Sequence, residues 1–312
     1  MKIAASSPSF SKNQLLQREI RRHFANVRLN SEGERFDKEG LIEFVGDADA
    51  LVVGLEPVDG EVLDRCPNLK MISKYGVGLN NIDIEECRRR GVAIGWTGGV
   101  NRLSVAEMTL GFMLMLVRNL YRTSNELKSG TWNKSGGFQL SGKRIGIIGV
   151  GHIGRELVRL LKPFGCDIMV NDIVEQSEYY RVNDLREESK ERIFADADIV
   201  TLHLPLDEST ENLVDLSVMR SMKSTAYLIN TARGGIVNED DLKYALKNGI
   251  IAGAAIDVYT QEPPSDMELL SLPNLICTPH IGGNAAEAVE AMGMSAIGHL
   301  VEFFAKRGEN GE

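Results

Sequence analysis

The sequence predicts an α/β fold: a doubly wound parallel sheet accompanied by a second, smaller parallel α/β domain. Three observations predict it. Short apolar runs alternate with helical patterns along the whole chain, as parallel sheets with helices on both faces require. The 312 residues suit two domains of roughly 100–200 residues each. The chain is 43% hydrophobic and 25% charged, with 31 glycines. That is the balance of a globular protein with many tight turns.

In the first part, candidate strands are Lys2–Ala5, Val27–Asn30, Ala50–Val53, Met71–Ser73 and Val92–Gly95. The first helix is expected to open on Ser11 and Gln14, a capping-box spacing, and to carry Leu15, Leu16, Ile20 and Phe24 on one face. From Leu103 to Leu127 one long helix is expected, apolar on nearly every side. Such a helix is buried in a large body or against a partner. Six strands follow, at Arg144–Gly149, Asp167–Asn171, Ile199–His203, Ala226–Asn230, Gly253–Val258 and Leu275–Thr278. Among the helices between them, Asn238 to Asn248 turns Leu242, Ala245 and Leu246 inward and stops at Gly249. A last helix is expected over Ala285–Ala305, with a polar, frayed tail from Lys306 to Glu312.

Composition excludes some functions. A formal net charge of −9 disfavours nucleic acid and anionic membranes as partners. The cysteines Cys66, Cys87, Cys166 and Cys277 are far apart and form no CxxC pair, so reduced thiols are expected rather than disulfides or a metal site. The start MKIAASSPSF lacks the apolar core of a signal peptide. The apolar stretch Met108–Val117 is too short to span a bilayer. A cytoplasmic location is expected.

Gly149-Val150-Gly151-His152-Ile153-Gly154 follows the strand Arg144–Ile148 and opens a helix with Leu157, Leu160 and Leu161 inward. In that context a GxGxxG turn binds a dinucleotide. Gly149 permits the turn, Gly151 lets the backbone approach a pyrophosphate, and Gly154 lets helix and strand pack. The helix N-terminus offers N–H groups to the anion. Asp172, 23 residues after Gly149, can accept from ribose hydroxyls and repel a 2′-phosphate. This favours NAD over NADP.

Other polar residues fall at the ends of later strands: Arg233 after Leu228–Ala232, Asp257 after Gly253–Ile256 with Glu262 beyond it, and His280 after Ile276–Pro279. In a parallel sheet these ends share an edge with the glycine turn. The set suits hydride transfer to a 2-oxo acid. Arg233 can hold a carboxylate and polarise a carbonyl, His280 can exchange the hydroxyl proton, and Glu262 can orient the ring.

At these residues the chain resembles the D-isomer-specific 2-hydroxyacid dehydrogenase family, and within it the phosphoglycerate-dehydrogenase-like branch. The resemblance runs over about residues 50–300. It rests on Tyr75–Asp83, Asn101–Glu107, Gly149–Gly154, Asn230–Gly235, Asp257–Pro263 and Thr278–Gly283. It implies a Rossmann nucleotide domain over residues 100–285 and a flavodoxin-like substrate domain over 1–99 and 286–312, with a hinge at the two crossings. It implies Arg233, Glu262 and His280 as the catalytic trio. His152, Ile153, Leu204, Thr231, Ala232 and Gly282 would line the cofactor, and Asp257 would meet the nicotinamide amide. Lys74 and the backbone of Gly76, Val77 and Gly78 would hold the substrate, and the Leu103–Leu127 helix would form a homodimer.

The chain departs from the branch in places. Lys74 stands where Arg is common, keeping the charge but not the bidentate fork. The loop Thr131–Ser135 carries one cation. Both argue against a phosphorylated substrate. Asn284 replaces a common Ser or Thr, and a long C-terminal regulatory region is not expected. Glu262 argues against a formate-oxidising relative, which carries Gln there. A phosphite-oxidising relative keeps the trio. An NAD-responsive binding protein of the corepressor type is the alternative of a different class.

Overall fold

The computed structural model of the chain describes residues 1–309. The chain divides into two compact units. One comprises Met1–Asn101 and the residues from Asn284 onward; the other is Arg102–Gly283.

The smaller unit is built on strands β1 (Lys2–Ala5), β2 (Asn26–Leu29), β3 (Ala50–Val53), β4 (Met71–Lys74) and β5 (Ala93–Gly95). They pair in the order β2-β1-β3-β4-β5, all parallel. This is the flavodoxin-like order. Alternation along the strands sends Ile3 and Ala5 to one face and Ala4 to the other. On the first face they meet Phe10, Leu16, Ile20, Met292 and Leu300; on the second, Leu41, Val45 and Val62 surround Ala4. The last helix, α14 (Ala286–Glu309), returns to this unit, and Ser73 donates to Ala296 O at 2.8 Å. Of the tail expected to fray, Lys306–Glu309 are helical, and Asn310–Glu312 lie outside the described residues.

The expected opening at Ser11 is corrected. Two helices stand there, α1 (Pro8–Lys12) capped by Ser7 and α2 (Gln14–His23) capped by Asn13. Ser11 is buried inside α1, where its hydroxyl donates to Ala5 O and accepts from Asn30 N. Asn13 Oδ1 accepts from Leu15 N and Leu16 N, a stronger cap than the Ser11–Gln14 spacing could supply.

The larger unit carries β6 (Arg144–Ile148), β7 (Asp167–Asn171), β8 (Arg186–Glu187), β9 (Ile199–Leu202), β10 (Tyr227–Asn230), β11 (Gly253–Ile256) and β12 (Leu275–Cys277). Its parallel sheet has seven strands rather than six, ordered β12-β11-β10-β9-β6-β7-β8. The additional strand, β8, is a charged edge: Arg186 pairs with Met169 in the sheet and with Asp167 and Glu188 through its side chain. Order reverses between β6 and β9, the switch point where open α/β sheets bind ligands. Helix α8 (His152–Leu161) packs on the sheet through Leu157, Val158 and Leu161, all buried. Burying each such side chain is worth roughly 1.5–3 kcal/mol.

The single helix expected over Leu103–Leu127 is two, α6 (Arg102–Val117) and α7 (Leu120–Lys128), bent by 64°. The break has local causes. Asn119 takes φ +52°, Val117 O accepts from Phe138 N at 2.7 Å, and Asn119 Nδ2 donates to Ser135 O. Among the described residues no single helix is long and apolar enough to cross a membrane.

Candidate active site

The glycine turn leaves β6 at the switch point. Gly149 has φ +96°, and a Cβ there would lie 2.3 Å from His203 O. A Cβ on Gly154 would lie 2.2 Å from Gly149 O, whereas Gly151 has open space where a Cβ would stand. Gly151 caps α8 with no side-chain hydrogen bond, so the helix N-terminus faces outward without a side-chain acceptor. Asp172 follows β7, and its carboxylate accepts from Val150 N at 2.6 Å and Val174 N at 2.9 Å. Those bonds fix it beside the turn and leave lone pairs for ribose hydroxyls. A backbone-lined turn, an uncapped helix and an anchored carboxylate fit a dinucleotide. Leu204 packs over Gly149, its Cδ2 3.1 Å from where a Cβ would stand. Thr231, buried beyond β10, exchanges a hydrogen bond with Thr109 of α6 at 3.1 Å.

The polar strand-end residues meet at the same sheet's carboxyl edge. Glu262 accepts from Tyr259 N through Oε1 and faces His280 Nδ1 through Oε2 at 2.7 Å. A carboxylate only accepts, so Nδ1 carries the hydrogen and Nε2 is the nitrogen that can exchange a proton. His280 holds a left-handed φ of +52°. Arg233 Nη1 donates to Ala232 O at 2.7 Å. Burial draws the guanidinium below its ordinary value, and the charge of Glu262 acts the other way. The Arg233 and Glu262 loops touch backbone to backbone: a Cβ on Gly234 would lie 1.9 Å from Tyr259 O.

Asp257 does more than the sequence suggested. It is 1% exposed, and its oxygens accept from the Thr278 hydroxyl at 2.6 Å, Ile281 N at 2.9 Å and Gly282 N at 2.8 Å. It therefore clamps the segment that carries His280. Asn230, not singled out from sequence, shapes the Arg233 loop by accepting from Ala232 N and donating to Arg233 O. In the smaller unit the ammonium of Lys74 is directed to Gly54 O and Asn81 Oδ1, beside the Gly76–Gly78 turn. Among the described residues no cluster of His, Cys, Asp and Glu could hold a metal ion.

Sequence reasoning also passed over His203, although it ends the apolar run of β9 next to the glycine turn. The residue is partly exposed, but its Nδ1 is buried with no partner, and Nε2 meets Thr201 Oγ1 at 3.0 Å. Burial pulls the imidazole down to about 3. The unfolded chain takes up this proton near pH ~6.5, which the folded chain resists. Stability from this group is therefore complete above that pH and is lost as pH falls toward 3. His203→Asn should remove up to about 1.4 kcal/mol of stability loss per pH unit across that window. Urea unfolding at pH 7, 6, 5 and 4 checks this; parallel losses in both proteins would refute it.

The comparisons agree with this geometry. Residues 110–282 match the family described as D-isomer specific 2-hydroxyacid dehydrogenase, NAD binding domain. A glyoxylate reductase from Thermococcus gammatolerans is 37% identical, over 93% of this chain and 89% of that protein. A D-3-phosphoglycerate dehydrogenase from Methanocaldococcus jannaschii is 38% identical over 82% of this chain, which spans only 50% of that protein's length. A solved structure from Thermus thermophilus superposes with a TM-score of 0.87 at 30% identity, over 95% of this chain and 94% of the other. The chain belongs to the D-isomer-specific 2-hydroxyacid dehydrogenase family and is an NAD-dependent oxidoreductase acting on 2-hydroxy and 2-oxo acids.

Proposed function

We propose that the protein interconverts a small, unphosphorylated D-2-hydroxy acid and its 2-oxo acid, with His280 as acid/base, Glu262 as its partner and Arg233 as substrate clamp. The 2.7 Å contact between His280 and Glu262 at the sheet edge carries this reading. NADH, held by the Gly149–Gly154 turn and Asp172, would supply the hydride, with its electron pair, for reduction of the carbonyl carbon. Protonated His280 gives its Nε2 proton to the carbonyl oxygen, so C=O becomes CH–OH. Glu262 holds the ring through Nδ1. Arg233 brings positive charge to the substrate carboxylate and to the oxygen that gains negative charge. The backbone of Gly76, Val77 and Gly78 holds the carboxylate. Oxidation runs the same steps backward from neutral His280.

The preference for an unphosphorylated acid is supported by the loop Thr131–Ser135, which carries one cation, and by Lys74, which lacks the bidentate fork of an arginine. The reading includes a homodimer through α6 and α7, where Leu103, Leu120 and Leu127 are exposed. It also includes a reducing, cytoplasmic setting, supported by four free thiols. The test is a panel of glyoxylate, hydroxypyruvate, pyruvate, a branched-chain oxo acid and 3-phosphohydroxypyruvate with NADH. Turnover of none would favour an NAD-responsive binding protein, and turnover of the phosphorylated acid alone would overturn the preference.

Cofactor choice gives a second test. NADH should exceed NADPH by at least ~10-fold in kcat/KM, about 1.4 kcal/mol. Asp172→Ala should narrow that gap, mainly by relieving repulsion of a 2′-phosphate. Equal use of both cofactors by the unaltered protein would sink this role for Asp172.

A further inference from the structure

We propose that Lys74 and Asn81 form a bracket that positions the carboxylate-binding turn, and that Lys74 supports this turn instead of contacting the substrate. The inference rests on the reading that the backbone of Gly76–Gly78 holds the carboxylate. Lys74 ends β4 and is 5% exposed. Its ammonium donates to Gly54 O, just beyond β3, and to Asn81 Oδ1 at 2.7 Å. Asn81 also donates through Nδ2 to Glu56 O at 2.6 Å and Gly54 O at 3.3 Å, and its carbonyl accepts from Val58 N at 2.7 Å. Glu56 Oε2 in turn accepts from Gly54 N at 3.0 Å. One cation and one amide thus stitch the loop after β3 to the turn after β4.

The stem matters as well as the charge. Gly76 takes φ +131°, and a Cβ there would meet Lys74 Cε at 3.4 Å. The lysine chain therefore lies against the turn. A buried ammonium is tolerated only while its donors are met, and Gly54 O and Asn81 Oδ1 take two of its three here. Swinging toward a substrate anion would break both bonds and unlatch both loops. A Lys74 held in this way should not read the far end of the substrate, and a terminal phosphate should gain nothing from it.

The test uses the full chain, Lys74→Met, Asn81→Asp and the double variant, with NADH saturating and glyoxylate, hydroxypyruvate and 3-phosphohydroxypyruvate varied. Met keeps much of the stem without the donors; Asp keeps an acceptor for Lys74 without the Nδ2 bonds, and is the milder variant should Lys74→Met fold poorly. Each single variant should raise KM about 10- to 100-fold by a similar factor for every acid turned over, with kcat changed less than about threefold. The double variant should be no worse than the worse single, because the two residues act as one unit. Amide hydrogen exchange at residues 76–78 should quicken in every variant, a readout that needs no turnover. A loss confined to 3-phosphohydroxypyruvate would make Lys74 a phosphate ligand and overturn the bracket, as would additive losses or unchanged exchange. Failure of the unaltered protein on every acid would count against the proposed function, while exchange would still decide the bracket.

Discussion

Replacing His280 with alanine should lower kcat by about 100- to 10,000-fold with NADH binding retained, the range expected for losing a positioned general acid. The glycine turn and Asp172 follow β6 and β7, whereas His280 follows β12, with three strands between β12 and β6, so the nucleotide should still bind. Near-full turnover would mean that the proton comes from elsewhere. The companion variant, Glu262→Gln, addresses how the ring is held. Glu262 Oε2 lies 2.7 Å from His280 Nδ1 and fixes which ring nitrogen carries the hydrogen. Glutamine keeps the shape but can present an N–H there instead, so kcat should fall by roughly 10-fold or more in both directions with NADH binding retained. Single-turnover rates, where chemistry limits, check this, and an unchanged rate would separate Glu262 from the work of His280.

Gly234→Ala should cost about 100-fold or more in kcat/KM, the penalty of displacing reacting groups by an ångström or so. The added Cβ would stand 1.9 Å from Tyr259 O and 2.5 Å from Thr260 N. Both obstacles are backbone, so no rotamer change relieves them. Either the Arg233 loop or the Tyr259–Glu262 loop must move, and each carries a member of the trio. NADH affinity should fall far less, because the glycine turn lies on another strand. The two constants measured side by side check this; a variant with unchanged kcat/KM would show that these loops yield without cost.

Most of the larger sheet was legible because buried parallel strands are written as uninterrupted apolar runs such as Ile145–Ile148 and Gly253–Ile256. β8 was not, because Arg186 and Glu187 are exposed and charged, and only pairing with Met169 and Val170 makes them a strand. The break at Asn119 was hidden for a similar reason. Helical periodicity continues through it, and what stops α6 comes from Ser135 and Phe138, beyond α7. At the site, Gly149–Gly154 and Asp172 could be read because their spacing reflects one local unit. His280 and Glu262 could be assigned as a pair by chemistry, but their contact depends on how two loops meet. The partners of Lys74 were illegible, since Gly54 and Asn81 reach it only through the ordering of β3 beside β4.

Asp257 gives the His280 segment an unusual mechanical character. Loops are ordinarily the parts of a protein that open first. Here a carboxylate rooted at the end of β11 is filled by three donors from residues 278–282. Lifting that segment away would strand a buried charge, at a cost of several kcal/mol. The arm that carries the proton is a loop by its backbone but belongs, in cooperative terms, to the sheet. It should stay seated through thermal fluctuations and come loose only when the core beneath it melts.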